Sequence, residues 1–136
     1  MALRTRREII TYYKRELGWV PQFAQHLTKY VPEAVGGLIT FRAATMRPPP
    51  KGALSPKVKE LLFIVLDTVQ ANLPGGLAHA RAAVRAGVTP AEIAEALALT
   101  IMLAGLPKVE VTGIAILQEA EKAYAMVPRP ARPRRA

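Results

Sequence analysis

Glu60 and His79 are the residues whose types and spacing could move a proton. Glu60 lies in "KELLFIVLDTVQA", where nothing from Leu61 to Leu66 is polar. His79 follows nineteen positions later, past Asn72-Leu73-Pro74-Gly75-Gly76. Imidazole titrates near neutral pH and suits general acid–base work, and a neighbouring carboxylate would orient the ring. A carboxylate on a helix that is apolar nearly all round is costly to bury unless it is paired or protonated. Structural readings stand beside the chemical one. Glu60 in the first turn of its helix would be favoured by the dipole and solvated, and His79 would suit a tight helix crossing in a core.

Asp67 is seven residues after Glu60, on the same side of the helix and roughly 10 Å further along its axis. It would add a second carboxylate to a site or pair with an arginine. Asn72, at the break, could donate to a developing oxyanion. The neighbours of His79 three and four positions away are Gly75, Gly76, Ala82 and Ala83, with Ala86 one heptad on. Small residues of this kind leave room for a ligand or for another helix to pack closely. The other histidine, His26, has no evident partner and reads as structural or exposed. Arg81 and Arg85 share a helix with His79, but position 81 is roughly 200° around from 79. These arginines would reach an anionic substrate only across a subunit interface, or would pair with acids at the surface. Arg42 and Arg47 fit a carboxylate clamp equally well.

The elements that must position these groups read as helices throughout. No stretch keeps the alternation of a half-buried strand, and proline and glycine cut the chain into helix-length pieces. Thr5–Leu17, stopped by Gly18, reads as the first helix, followed by Pro21 to about Tyr30 and Pro32 to about Met46. "RPPPKGALSP" reads as a stiff, extended connector. Ser55-Pro56 then supplies an N-cap and first-turn proline for a helix to about Ala71. A break at 72–76 precedes a helix ending at Gly87. Thr89-Pro90-Ala91-Glu92 is a capping box opening a helix to about Ala104, and a last helix runs from about Lys108 to Tyr124. The reading is all-α, a bundle of about six to seven helices. It forms one domain over 1–127, with N-terminal helices at 1–47, the connector at 48–53 and a basic tail at 128–136.

Composition supports helices: 51% of the 136 residues are hydrophobic and only 6% aromatic, so Ala and Leu carry much of the core. The absence of cysteine excludes disulfides, thiolate metal sites and thiol peroxidase chemistry. Two histidines far apart give no metal-ligand spacing. The net charge of +9 is concentrated at the ends: Arg129, Arg132, Arg134 and Arg135 lie in "RPARPRRA". Such a tail reads as disordered and solubilising, and no aromatic platform accompanies it, which argues against nucleic-acid recognition. No signal peptide or bilayer-length apolar run is present, so the expected location is the cytoplasm and no membrane is involved. The segment Glu95–Leu106 is more apolar than a subunit of this size needs, which suits an interface between copies.

The motifs assemble in an order that resembles the carboxymuconolactone decarboxylase family, whose fold is shared with alkylhydroperoxidase D-like proteins. The family pattern L-S-x-K-x-x-E-L matches Leu54–Leu61, and H-x-x-x-A-x-x-x-G-x-T-x-x-E-I matches His79–Ile93. G-x-P matches Gly105–Pro107. About 55 residues, 54–108, carry the resemblance. In the peroxidase branch a glutamate precedes C-x-x-C by twelve residues and a histidine follows it by four. Glu60 and His79 fall on that glutamate and histidine, while Asn72 and Gly75 stand at the two cysteine positions. The resemblance therefore implies the decarboxylase side: a cofactor-independent carboxy-lyase or related proton-transfer enzyme acting on a small anionic substrate. That substrate would be a carboxylated lactone or related ring-cleavage acid from aromatic-compound degradation. His79 would be the general acid–base and Glu60 its partner. Asp67, Asn72 and Gly75 would line the site, Arg42, Arg81 or Arg85 would bind the carboxylate, and no cofactor would be needed. It also implies a trimer or hexamer. A non-catalytic binding or scaffold oligomer of the same fold is the alternative, with Glu60 and His79 satisfying each other.

Overall fold

The computed structural model describes residues 3–128, so the arginine tail, from Arg129 on, lies outside the described residues. All regular structure among them is helical, as expected. The chain divides into two compact units, one up to Ala53 and one from Leu54.

The first unit holds α1 (Arg6–Leu17), α2 (Gln22–Leu27) and α3 (Pro32–Thr45). Thr5 and Glu8 close a capping box at the start of α1, and Gly18 ends the helix with φ at +78°, where a side chain would be strained. Ile9, Tyr13, Ala24, Val35 and Ile39 form its core. Tyr13 meets the Phe23 ring edge-on at 6.0 Å, and burial raises its phenol pKa. The connector is not the extended strut expected. Proline keeps its carbonyl as an acceptor, and Pro48 receives the Gly52 N–H at 3.0 Å, which folds the segment into a turn.

The second unit holds α4 (Pro56–Val69), α5 (Leu73–Arg85) and α6 (Pro90–Ala104). Then come α7 (Leu106–Lys108), a π-helical segment (Val109–Gly113) and α8 (Ile114–Ala125). Ser55 caps α4, and Thr89 with Glu92 forms the capping box of α6, as the sequence indicates. The core gathers Ile64, Ala80, Ala83, Val84, Val88, Ile93, Leu97, Val109, Ile116 and Ala120.

Two local features differ from expectation. The break at 72–76 is shorter, because Asn72 is the N-cap and Leu73–Gly76 is the first turn of α5. Its proline suits that turn, where an N–H would be unbonded anyway, and the two glycines are carried by tertiary packing. The last helix is likewise not uniform. The Ile114 N–H bonds Val109 O, one residue beyond the α register, so the backbone widens over 109–113. A Cβ on Gly113 would lie 3.0 Å from Leu97 Cδ2 and 3.2 Å from Thr68 Cγ2, so glycine lets this widened turn press against α4 and α6.

Candidate active site

Residues Glu60, Ile64 and Thr68 recur every four positions on α4 and form the face turned into the unit's core. The Thr68 hydroxyl donates to Ile64 O at 2.8 Å and is satisfied within the helix. Glu60, only 5% exposed, cannot be satisfied that way and needs a partner from another element. His79, on α5, provides it: Glu60 Oε2 lies 2.7 Å from His79 Nδ1. Glu60 is thus not a solvated first-turn residue.

The pair is asymmetric in exposure: the Glu60 side chain is 6% exposed and that of His79 19%. Nδ1 is committed to Glu60, which leaves Nε2 as the ring nitrogen available for proton exchange with a bound molecule. Phe63 completes the setting. Its ring stacks on the imidazole with centroids 4.2 Å apart and planes 13° from parallel. Sequence reasoning missed Phe63, although its position three after Glu60 on the same helix was a usable signal.

Asp67 sits one α4 turn beyond Ile64, half-buried, and within electrostatic reach of both Glu60 and His79. Its Oδ1 accepts from Asn72 Nδ2 at 2.8 Å, so its partner is an amide rather than an arginine. Its Oδ2 is buried with no hydrogen-bond partner among the described residues. Burial raises the Asp67 pKa, and the Glu60 charge adds to this. The Asn72 hydrogen bond and the His79 charge oppose it. Asn72 is also committed on its oxygen, which accepts from the Gly75 N–H at 3.4 Å as the cap of α5. Gly75 is where this arrangement needs no side chain, since a Cβ there would fall 3.1 Å from Asp67 Oδ1 and against the Asn72 amide.

The other small residues near His79 serve packing as well. A Cβ on Gly76 would collide with the Ile116 side chain, so Gly76 lets α8 approach α5; Ala83 is wholly buried in the core. Arg81 is held by Glu119 of α8 at 2.9 Å. Arg85 is exposed near the end of α5, Arg42 lies on α3 in the first unit near the Tyr13 phenol, and His26 is exposed on α2. Two open clefts, lined by Leu3–Arg15 and by Tyr30–Ala34, contain none of the site residues. No group of three or more His, Asp or Glu side chains that could hold a metal converges among the described residues.

A buried carboxylate holding one nitrogen of a partly exposed imidazole can stabilise the imidazolium that forms when Nε2 takes up a proton. It can then support return of that proton to a bound molecule. No curated protein matches the chain. A crystal structure of a Burkholderia xenovorans LB400 protein, provisionally named a carboxymuconolactone decarboxylase, has the same fold. Its TM-score is 0.77 at 28% identity, over 87% of this chain and 92% of that one. The model of the carboxymuconolactone decarboxylase family matches residues 32–119, which begins at α3 and so reaches beyond the motifs visible by eye. With well over half its length matched, and with Glu60 and His79 both inside the matched region, this chain belongs to the carboxymuconolactone decarboxylase family.

Proposed function

We propose that the protein is a cofactor-independent carboxy-lyase acting on a small carboxylated lactone or related ring-cleavage acid. The observation that carries this reading is the 2.7 Å contact between Glu60 Oε2 and His79 Nδ1, which leaves Nε2 uncommitted on a partly exposed ring. In the proposed reaction the bond between the substrate carboxylate and its carbon breaks, and CO₂ leaves. The electron pair passes into a conjugated carbonyl as an enolate or dienolate. His79, protonated from solvent on Nε2, delivers that proton to the carbanionic carbon, and Glu60 stabilises the imidazolium beforehand. Removing the substrate carboxylate from water weakens its solvation and favours its loss. The carboxylate holder would be a cation from a second copy, such as its Arg85, since Arg81 is tied to Glu119.

The test is CO₂ release from a carboxylated muconolactone by the purified protein and by His79→Gln. Loss of imidazole should cost about 10²- to 10⁴-fold in kcat. A His79→Gln protein that still releases CO₂ at the wild-type rate would refute the assignment, as would a wild-type protein inert towards carboxylated lactones and related acids. We place the enzyme in the cytoplasm and expect it to act as a homotrimer or homohexamer. No described helix is long and apolar enough to cross a membrane.

The alternative, a non-catalytic oligomer in which Glu60 and His79 only satisfy each other, draws on a different observation. Leu99, Met102 and Leu103 form an exposed apolar face at the end of α6, with Leu103 98% exposed, and Leu106 is exposed just past it in α7. That face supports assembly under either reading, so it does not favour the alternative over catalysis.

A further inference from the structure

Glu60 and Phe63 stand three residues apart on α4, and both reach the same imidazole on α5. Glu60 holds its edge at Nδ1 and Phe63 covers a face. A hydrogen bond to one nitrogen fixes where that nitrogen sits but leaves the ring free to rock about the Nδ1···Oε2 line. A flat partner stacked at 4.2 Å and 13° removes that freedom, because tilting the imidazole drives its carbons into the phenyl ring or opens a gap that forfeits dispersion contact. The restraint matters because Phe63 is only half-buried and lies outside the set of fully buried side chains that form the unit's core.

We propose that Phe63 is a positioning residue for His79: its ring fixes the plane of the imidazole while Glu60 fixes its tautomer, so that Nε2 is aimed in one direction. The edge grip and the face grip are separable. Loss of Glu60 removes the preference for a proton on Nδ1 and leaves the ring covered. Loss of the Phe63 aromatic ring uncovers the imidazole, lets it rock, and weakens the Glu60 contact that depends on its plane. The inference deepens the proposed function, which gives Nε2 its work, but its test needs no substrate and no turnover.

The chain has only two histidines, so proton–nitrogen correlation spectra of the imidazoles contain two sets of signals, and His79→Gln identifies which is which. His26 is exposed on α2 and serves as the internal reference. In the wild-type protein, at a pH where the rings are neutral, the carbon-bound protons of His79 should be shifted upfield of those of His26 by the Phe63 ring current. Its two nitrogens should be clearly unlike, as for a single tautomer. Phe63→Tyr should reproduce both features. Phe63→Leu should move the His79 protons downfield towards His26 and bring the two nitrogen shifts closer together. Glu60→Gln should alter the nitrogens and keep the ring-current shift. The proposal is overturned if Phe63→Leu leaves the two His79 nitrogen shifts at their wild-type values, since the ring-current displacement disappears with the ring whether or not it positions the imidazole. It is equally overturned if the wild-type His79 protons show no upfield displacement, a measurement that stands even where Phe63→Leu fails to fold. A His79→Gln protein that kept full CO₂ release would remove the proposed function and leave this result untouched.

Discussion

At the residue scale, Asp67 is a carboxylate beside the Glu60–His79 pair whose titration burial has altered. Its carboxyl is held above the ordinary aspartate value of 3.8, first by burial and further by Glu60, against the Asn72 hydrogen bond and the His79 charge. A raised value means that folding favours the protonated form. Its stabilising contribution is therefore fully present below the unfolded value and is lost as pH rises through the folded one. Asp67→Asn abolishes that titration while keeping an acceptor for the Asn72 amide. The melting temperature of the variant relative to wild type should therefore shift in the variant's favour between about pH 4 and about pH 7. Parallel melting curves across that range would show that Asp67 carries no such penalty. The same residue shows why types and spacing were informative but incomplete. That Asp67 lies on the Glu60 side of α4 follows from a seven-residue interval, whereas its amide partner depends on how the chain turns after Val69.

At the scale of elements, that turn is the hinge of the site. The Asn72 N–H bonds Asp67 O at 2.9 Å and the Ala71 N–H bonds Thr68 O at 3.2 Å, the two bonds of a Schellman ending. The residue that must adopt the left-handed conformation is Ala71, with φ at +54°. After α5 the same motif recurs with Gly87 at φ +93°, and Val88 bonds back to Ala83 O at 2.9 Å. Glycine takes this conformation freely, and an L-residue with a Cβ does not. Ala71 is exposed and contributes no core packing, so Ala71→Gly should raise stability by about 0.5–1 kcal/mol net of glycine's greater unfolded-state entropy. Denaturant unfolding would measure it, and a midpoint that falls instead would mean that the turn is not strained. This ending, immediately followed by the Asn72 cap, sets the angle at which α5 leaves α4. It thereby brings His79 to Glu60.

At the scale of the whole molecule, exposed apolar surface dominates the expectation. Positions 99, 102 and 103 follow the spacing of one α6 face, Leu106 follows just past the break at Gly105, and all four are exposed. Val58, Leu62 and Leu66 form a second exposed stripe on α4, one residue in four, on the side of the helix opposite the buried stripe of Glu60, Ile64 and Thr68. Light scattering coupled to size exclusion should therefore give a mass that is a multiple of 14.8 kDa. Leu103→Glu should lower that mass by placing a charge in the face, with little effect on the fold of a side chain that touches almost nothing. A wild-type protein that runs as a monomer would sink the assembly expectation and with it the supply of a substrate-binding cation from a second copy.

The sequence by itself determined the helices, because their signals are local. Thr5, Ser55 and Thr89 cap helices through bonds to backbone three residues on, Pro56 and Pro90 pre-set the first turns, and Gly18 and Gly87 end helices where φ is positive. It also determined the pairing of Glu60 with His79, through a motif order that resembles a known family. Tertiary structure alone decided the rest, where a residue's partner comes from another element. Whether Gly76 makes room for a ligand or for Ile116, whether Arg81 faces a substrate or Glu119, and whether Phe63 is one more apolar residue or the wall against His79 are such cases. Each depends on the distance between two helices, and a distance between helices is a property of packing that no single stretch of chain contains.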